Sequence, residues 1–109
     1  MRPSFSQASI VSAGKEVVIS PQDSGVADRL VETLCKIELS GVCIEWAGSG
    51  FIRVDSYKEG EVSVEIYSAG IGGWILSRER AIKLFCCIAE GASLEDVSKF
   101  CQIHGCEPF

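Results

Sequence analysis

The sequence predicts an α+β domain: an antiparallel meander of three to five strands with helices packed on one face. Three observations carry that prediction. Residues 42–77, VCIEWAGSGFIRVDSYKEGEVSVEIYSAGIGGWILS, alternate apolar and polar side chains through three successive runs, the pattern of a sheet buried on one side only. Glycine-containing turns, Gly48-Ser49-Gly50 and Lys58-Glu59-Gly60, separate the runs at hairpin spacing. The stretches before and after have apolar residues at helical spacing, so each has a face to lay on the sheet.

Taken in order, residues 1–8 are polar and are expected to form a flexible start. Ile10-Val11 and Val17-Val18-Ile19 flank Ala13-Gly14-Lys15, which predicts a short hairpin or a single edge strand. Ser20-Pro21-Gln22-Asp23 is a helix start, with Ser as cap and Pro at the first helical position. Gly25 weakens that first turn, so Asp23 or Ser24 is an alternative beginning. Val26, Leu30, Leu34 and Ile37 then form an apolar stripe opposite Asp28, Arg29, Glu32 and Lys36, and Ser40-Gly41 ends the helix.

In the meander, Val42, Ile44, Trp46, Ile52, Val54, Val62, Val64 and Ile66 take the inner face. Gly70-Ile71-Gly72-Gly73 is expected to break the third strand as a plain loop, and Trp74-Ile75-Leu76 offers a short fourth strand. Ser77 caps a second helix with Ala81, Ile82, Phe85, Ile88 and Ala89 as its core stripe, stopped by Gly91. Ser93-Leu94-Glu95-Asp96 opens a third helix with Leu94, Val97, Phe100 and Cys101 turned inward, and Gly105 and Pro108 close the chain.

At 109 residues, 1–109 has room for a single core and is read as a single domain. Its 47% hydrophobic content is that of a packed chain. No run is long and apolar enough for a membrane helix, and the first residues lack the apolar core of a signal peptide, so a cytoplasmic location is expected. Six cysteines in this context, two of them adjacent (Cys86, Cys87), are expected to be reduced and mostly packed as small hydrophobes. The net charge of −5 disfavours direct nucleic-acid binding, and the acidity is concentrated in the first helix and the sheet.

Motifs that would carry chemistry are incomplete. The GIGG phrase lacks a Lys-Ser/Thr, and Ile75 occupies the last glycine position of a dinucleotide fingerprint. Cys101, His104 and Cys106, with Cys86 or Cys87, are possible zinc ligands, but structural zinc sites combine two spaced pairs, and neighbours on a helix diverge by about 100°. His104 is the single histidine and sits in no recognisable nucleophile setting, so neither an enzyme nor a cofactor is expected. Residues 80–105, RAIKLFCCIAEGASLEDVSKFCQIHG, have helix-turn-helix spacing, but no basic recognition helix follows Lys99.

The outer face of the meander is therefore the candidate site. Glu45, Asp55, Glu61 and Glu65 share it with Arg53, Tyr57 and Tyr67, with Glu59 in the adjoining turn and Trp74 as a second aromatic anchor, equally placed for the core. Charge for solubility alone explains a polar face. Tyrosines among carboxylates also suit recognition of a basic partner.

Residues 62–91 hold the strand VSVEIYSAG, a glycine-rich break, an apolar phrase ending Leu76-Ser77, and the helix RERAIKLFCCIAEG. In this layout the chain resembles the small immunity proteins of bacterial polymorphic-toxin and contact-dependent inhibition systems. The capped helix and hairpin upstream are compatible; the third helix and cysteine-rich tail depart from that pattern. The resemblance implies a cytosolic, acidic, non-catalytic domain that binds a cognate protein toxin and blocks its active site or substrate path. A phage-encoded inhibitor of a host defence complex is the alternative expectation, and a small DNA-binding regulator using the C-terminal helical hairpin a further one. A homodimer through an unprotected strand edge is also open.

Overall fold

The computed structural model describes residues 4–12, 14–22, 25, 28, 32 and 41–106, and within them period-two alternation becomes one six-stranded, wholly antiparallel sheet. Its strands are β1 (Gln7–Ser12), β2 (Lys15–Ile19), β3 (Val42–Trp46), β4 (Gly50–Ser56), β5 (Glu61–Tyr67) and β6 (Ile71–Ser77). Their spatial order is β2-β1-β3-β4-β5-β6. Two helices follow, α1 (Arg78–Glu90) and α2 (Leu94–His104). The α+β class stands, but the strand count is six and not three to five. Both predicted options at the start of the chain resolve as a full hairpin, and the glycine segment is not the expected plain loop.

That last difference has a simple cause. Gly72 and Gly73 pair with Ile66 and Glu65, so β6 starts at Ile71 and the chain reverses at Ser68–Gly70. A strand needs backbone donors and acceptors, which glycine supplies as well as any residue; hydrophobic patterning cannot register a residue with no side chain.

Register sets the core. Val42 faces Val54, Ile44 faces Ile52, Val54 faces Val64, and Val62 faces Leu76, so one apolar row crosses into the next. Helix α1 covers this face with Ala81, Leu84, Phe85, Ile88 and Ala89, and α2 adds Leu94, Val97 and Cys101. Both helices begin and turn as the sequence predicts. Ser77 accepts from the Arg80 N–H, Gly91 ends α1, and Ser93 and Asp96 form a reciprocal capping box. That box lowers the Asp96 pKa, chiefly through the Ser93 backbone N–H.

The expected flexible start does not extend to residue 8. Phe5 is 2% exposed and Ala8 fully buried. The Ser6 N–H donates to the Glu45 carbonyl at 2.7 Å. Ser4 Oγ donates to the Ala92 carbonyl at 2.7 Å, and the Trp46 indole N–H reaches Ser4 Oγ and the same carbonyl at 3.3 and 3.2 Å. One buried aromatic ring and these bonds tie a polar segment to β3 and to the turn between the helices. The first predicted helix, from Ser20 to Gly41, lies outside the described residues apart from residues 20–22, 25, 28, 32 and 41. Gly41 itself takes the left-handed φ of +73° expected at a helix end.

The turn between β3 and β4 carries the tightest backbone constraint. At Gly50, φ is +138°, and an added Cβ would lie 2.1 Å from the Tyr67 carbonyl oxygen and 3.0 Å from Leu94 Cδ2. At Gly48, φ is +80° but nothing lies within 4 Å. Gly50→Ala therefore costs at least about 2 kcal/mol, from overpacking added to backbone strain. Gly48→Ala costs only about 1 kcal/mol, from the left-handed backbone alone. Urea denaturation of the two variants checks this; equal losses contradict the close approach.

Candidate protein-binding interface

Because α1 and α2 share one face of the sheet, the alternate residues of every strand lie on the other. The register lines them up in rows: Gln7, Glu45, Phe51, Tyr67 and Ile71 in one, and Val18, Ser9, Cys43, Arg53, Glu65 and Gly73 in the next. Charge is sorted between the two sides. Among the described strand residues, the open face carries the carboxylates Glu16, Glu45, Asp55, Glu61 and Glu65 against one cation, Arg53, a net of −4 where the whole chain has −5. On α1 and α2, Arg78, Arg80, Lys83 and Lys99 balance Glu79, Glu90, Glu95 and Asp96.

At the centre of the first row the Phe51 and Tyr67 rings stack, with centroids 4.7 Å apart and planes at 12°. Strand spacing of about 4.8 Å produces this stack when two aromatic residues face each other across a ladder. Tyr67 Oη donates to Glu65 Oε2 at 2.6 Å, which fixes the ring along its own strand. The adjacent carboxylate raises the Tyr67 pKa above the ordinary phenol value, first through that hydrogen bond. Glu45, exposed, stands directly beside Phe51 on β3. The result is a rigid aromatic plate edged by two carboxylates and one guanidinium.

The nine candidate residues divide. Glu45, Arg53, Glu65 and Tyr67 meet around the plate. Asp55 lies on the same face but is half-buried, and its Oδ1 accepts the Gly41 N–H at 3.0 Å, bracing the start of β3. Tyr57, Glu59 and Glu61 sit at the opposite end of the sheet, Glu61 six residues from Tyr67 along β5 and so about 20 Å away. There Lys58 Nζ lies 5.5 Å from the Tyr57 ring centroid, a cation over the aromatic face. Trp74 is not on the open face. It pairs with Val64 on the helix side and packs partly buried against the core.

Phe51 is the functional candidate that sequence reasoning left out of the site. Its signal was present, since it alternates with Ile52 and Val54 in the same phase as Arg53. Only the cross-strand pairing with Tyr67 turns it into part of a plate.

Other candidate chemistry does not assemble. Cys101 is fully buried and its thiol is pushed up to about 12 by desolvation, so it stays protonated and sealed from solvent. The His104 ring packs on Phe100 at 4.6 Å, and Cys106 is exposed in a backbone bridge to Ile75. Among the described residues no three His, Cys, Asp or Glu side chains are grouped to hold a metal ion. No helix among them is long and apolar enough to cross a membrane. An open groove of about 610 Å³ lies between two strand turns and the start of α2, lined by Ser49, Ser68, Ser93 and Glu95 among others. Its helix-terminal N–H of Asp96 is already satisfied by Ser93 Oγ.

No family model, no curated protein and no solved structure matches this chain.

The Tyr67–Glu65 bond has a pH signature. A phenol pKa raised in the fold gives stability that is fully present below the ordinary value of 10.0 and lost as pH rises through the raised one. In a Tyr57→Phe background, phenolate absorbance reports Tyr67 alone. Glu65→Gln is expected to move that titration down toward the ordinary value; an unmoved curve contradicts the coupling.

Proposed function

We propose that this chain is a non-catalytic, protein-binding inhibitor of the immunity type, which neutralises a cognate bacterial toxin with a basic surface in the cytoplasm. The observation that carries the proposal is the sorting of charge: among the described strands and helices, the net negative charge lies on the one sheet face that neither α1 nor α2 covers. The sequence resemblance to small immunity proteins points the same way.

The physical fit follows from what a nucleic-acid-cleaving toxin must present. A cleft that binds phosphates is lined with Arg and Lys, and an opposing field of carboxylates speeds encounter and selects orientation. Contact then needs rigid area. The stacked Phe51–Tyr67 pair offers ring faces to an arginine guanidinium, and Glu45 beside it accepts that group's hydrogen bonds. The stack is held from below by the sheet and laterally by Glu65, so little side-chain freedom is lost on binding. An inhibitor occupying the cleft in this way needs no catalytic group of its own.

Co-expression with the product of the adjacent open reading frame tests the proposal. Wild-type protein is expected to protect the cell and co-purify with that product. The double variant Glu45→Lys with Glu65→Lys is expected to weaken the complex by at least about tenfold, equivalent to about 1.4 kcal/mol. Absence of both complex and protection overturns the proposal, and so does full-strength binding by the double variant.

A further inference from the structure

The two edges of the sheet differ. At β6 the outer edge is taken up where Cys106 exchanges backbone hydrogen bonds with Ile75 at 2.7 and 3.0 Å. At β2 nothing among the described residues pairs with the outer edge. This strand is exposed at every position except Ile19, with Val17 44% and Val18 52% exposed on opposite faces. Lys15–Ile19 contains no proline, and its two charged residues, Lys15 and Glu16, stand at the turn end next to Gly14, leaving Val17-Val18-Ile19 as an uncharged stretch of edge.

The hairpin register fixes which peptides that edge presents. Ser12 and Lys15 close the turn at Gly14, and the closing pair of so short a hairpin exchanges both its hydrogen bonds. Ile10 with Val17 and Ala8 with Ile19 repeat that arrangement at every second pair. Val11 with Glu16 and Ser9 with Val18 are the intervening pairs, whose peptide groups point away from the hairpin. On the β1 side this is seen directly, since the Val11 N–H donates outward to the Gly41 carbonyl at 3.1 Å. On the β2 side Glu16 and Val18 therefore direct their N–H and C=O groups to the open edge.

We infer that the β2 edge is a self-association site, at which two copies of this chain pair antiparallel about a twofold axis at Val17 to give a continuous sheet across the dimer. The sequence of the strand selects that register. An axis at Glu16 would set two glutamates opposite each other, which is destabilising. An axis at Val18 would carry the pairing past the end of β2 into Ser20 and Pro21. An axis at Val17 places each Glu16 opposite the Val18 of the other copy, so the outward peptides of both satisfy one another. It also brings the two exposed Val17 side chains together in a non-hydrogen-bonded pair, the closer of the two antiparallel spacings at about 4.5 Å between Cα atoms. Both copies then show their carboxylate faces on the same side of the joined sheet. The inference stands on the edge alone and is independent of what the open face binds.

Light scattering and sedimentation of the full chain test it. A concentration-dependent species of twice the 11.7 kDa mass is expected for the wild type. Val17→Lys, at a position that is 44% exposed, is expected to leave the circular dichroism unchanged and abolish that species. Val17→Cys is expected to form a disulfide-linked dimer on mild oxidation, because a non-hydrogen-bonded pair has the Cα spacing a disulfide needs. Val18→Cys, not opposite its own copy in this register, is expected to crosslink no more than wild type, which controls for the exposed Cys87 and Cys106. A monomer at all concentrations overturns the inference. A dimer indifferent to Val17→Lys, or Val17→Cys that crosslinks no better than Val18→Cys, overturns it equally.

Discussion

Burial of one face of the sheet under the α1–α2 hairpin is the constraint on which the other features rest. Because strand side chains alternate with a period of two, placing Val42, Ile44, Ile52, Val54, Val62 and Val64 under the helices commits every intervening residue to the opposite face. A slip of one residue in β3, β4 or β5 would bury carboxylates and expose valines. At roughly 1.5–3 kcal/mol for each large side chain buried, even a few such exchanges would exceed the net stability of a small domain. The position of Glu45, Arg53, Glu65 and the Phe51–Tyr67 stack is thus a consequence of core packing. Gly50 sharpens the same constraint, since its close approach to the Tyr67 carbonyl fixes β4 against the end of β5 beneath that stack.

Much of this was legible in the sequence wherever side chains carry the signal. The meander, both caps of the helical hairpin, the stop at Gly91 and the open face of Glu45, Arg53, Glu65 and Tyr67 all follow from alternation and capping chemistry. The rest was hidden for identifiable reasons. Gly72 and Gly73 continue β6 without contributing to any hydrophobic pattern. Ser4–Ala8 reads as polar and loose, yet Phe5 finds a buried site and the serines find backbone partners distant in sequence. Trp74 is ambiguous by composition, and only its register with Val64 assigns it to the helix side. Phe51 needed its partner strand before it could be seen as half of a stack. In each case the missing information was a long-range pairing, which local patterns do not contain.

The electrostatic asymmetry has a bearing on both proposals. A face with net −4 is costly to bring against another acidic surface and favourable against a basic one. Pairing through β2 leaves that face open and extends it, since strand-to-strand hydrogen bonding uses the edge and not the faces. Sheet face and sheet edge are therefore separable surfaces, one suited to a charged partner and the other to an identical strand.

The central claim is that the carboxylate-rich sheet face is the recognition surface. The most direct measurement is chemical-shift mapping of methyl and aromatic side-chain resonances as the proposed basic partner is added. The largest changes are expected on Phe51, Tyr67 and the neighbouring exposed Ile71, with the helix-side residues Ile82, Phe100 and Ile103 little affected. Changes concentrated on α1 and α2, with the Phe51 and Tyr67 resonances unmoved, would contradict it.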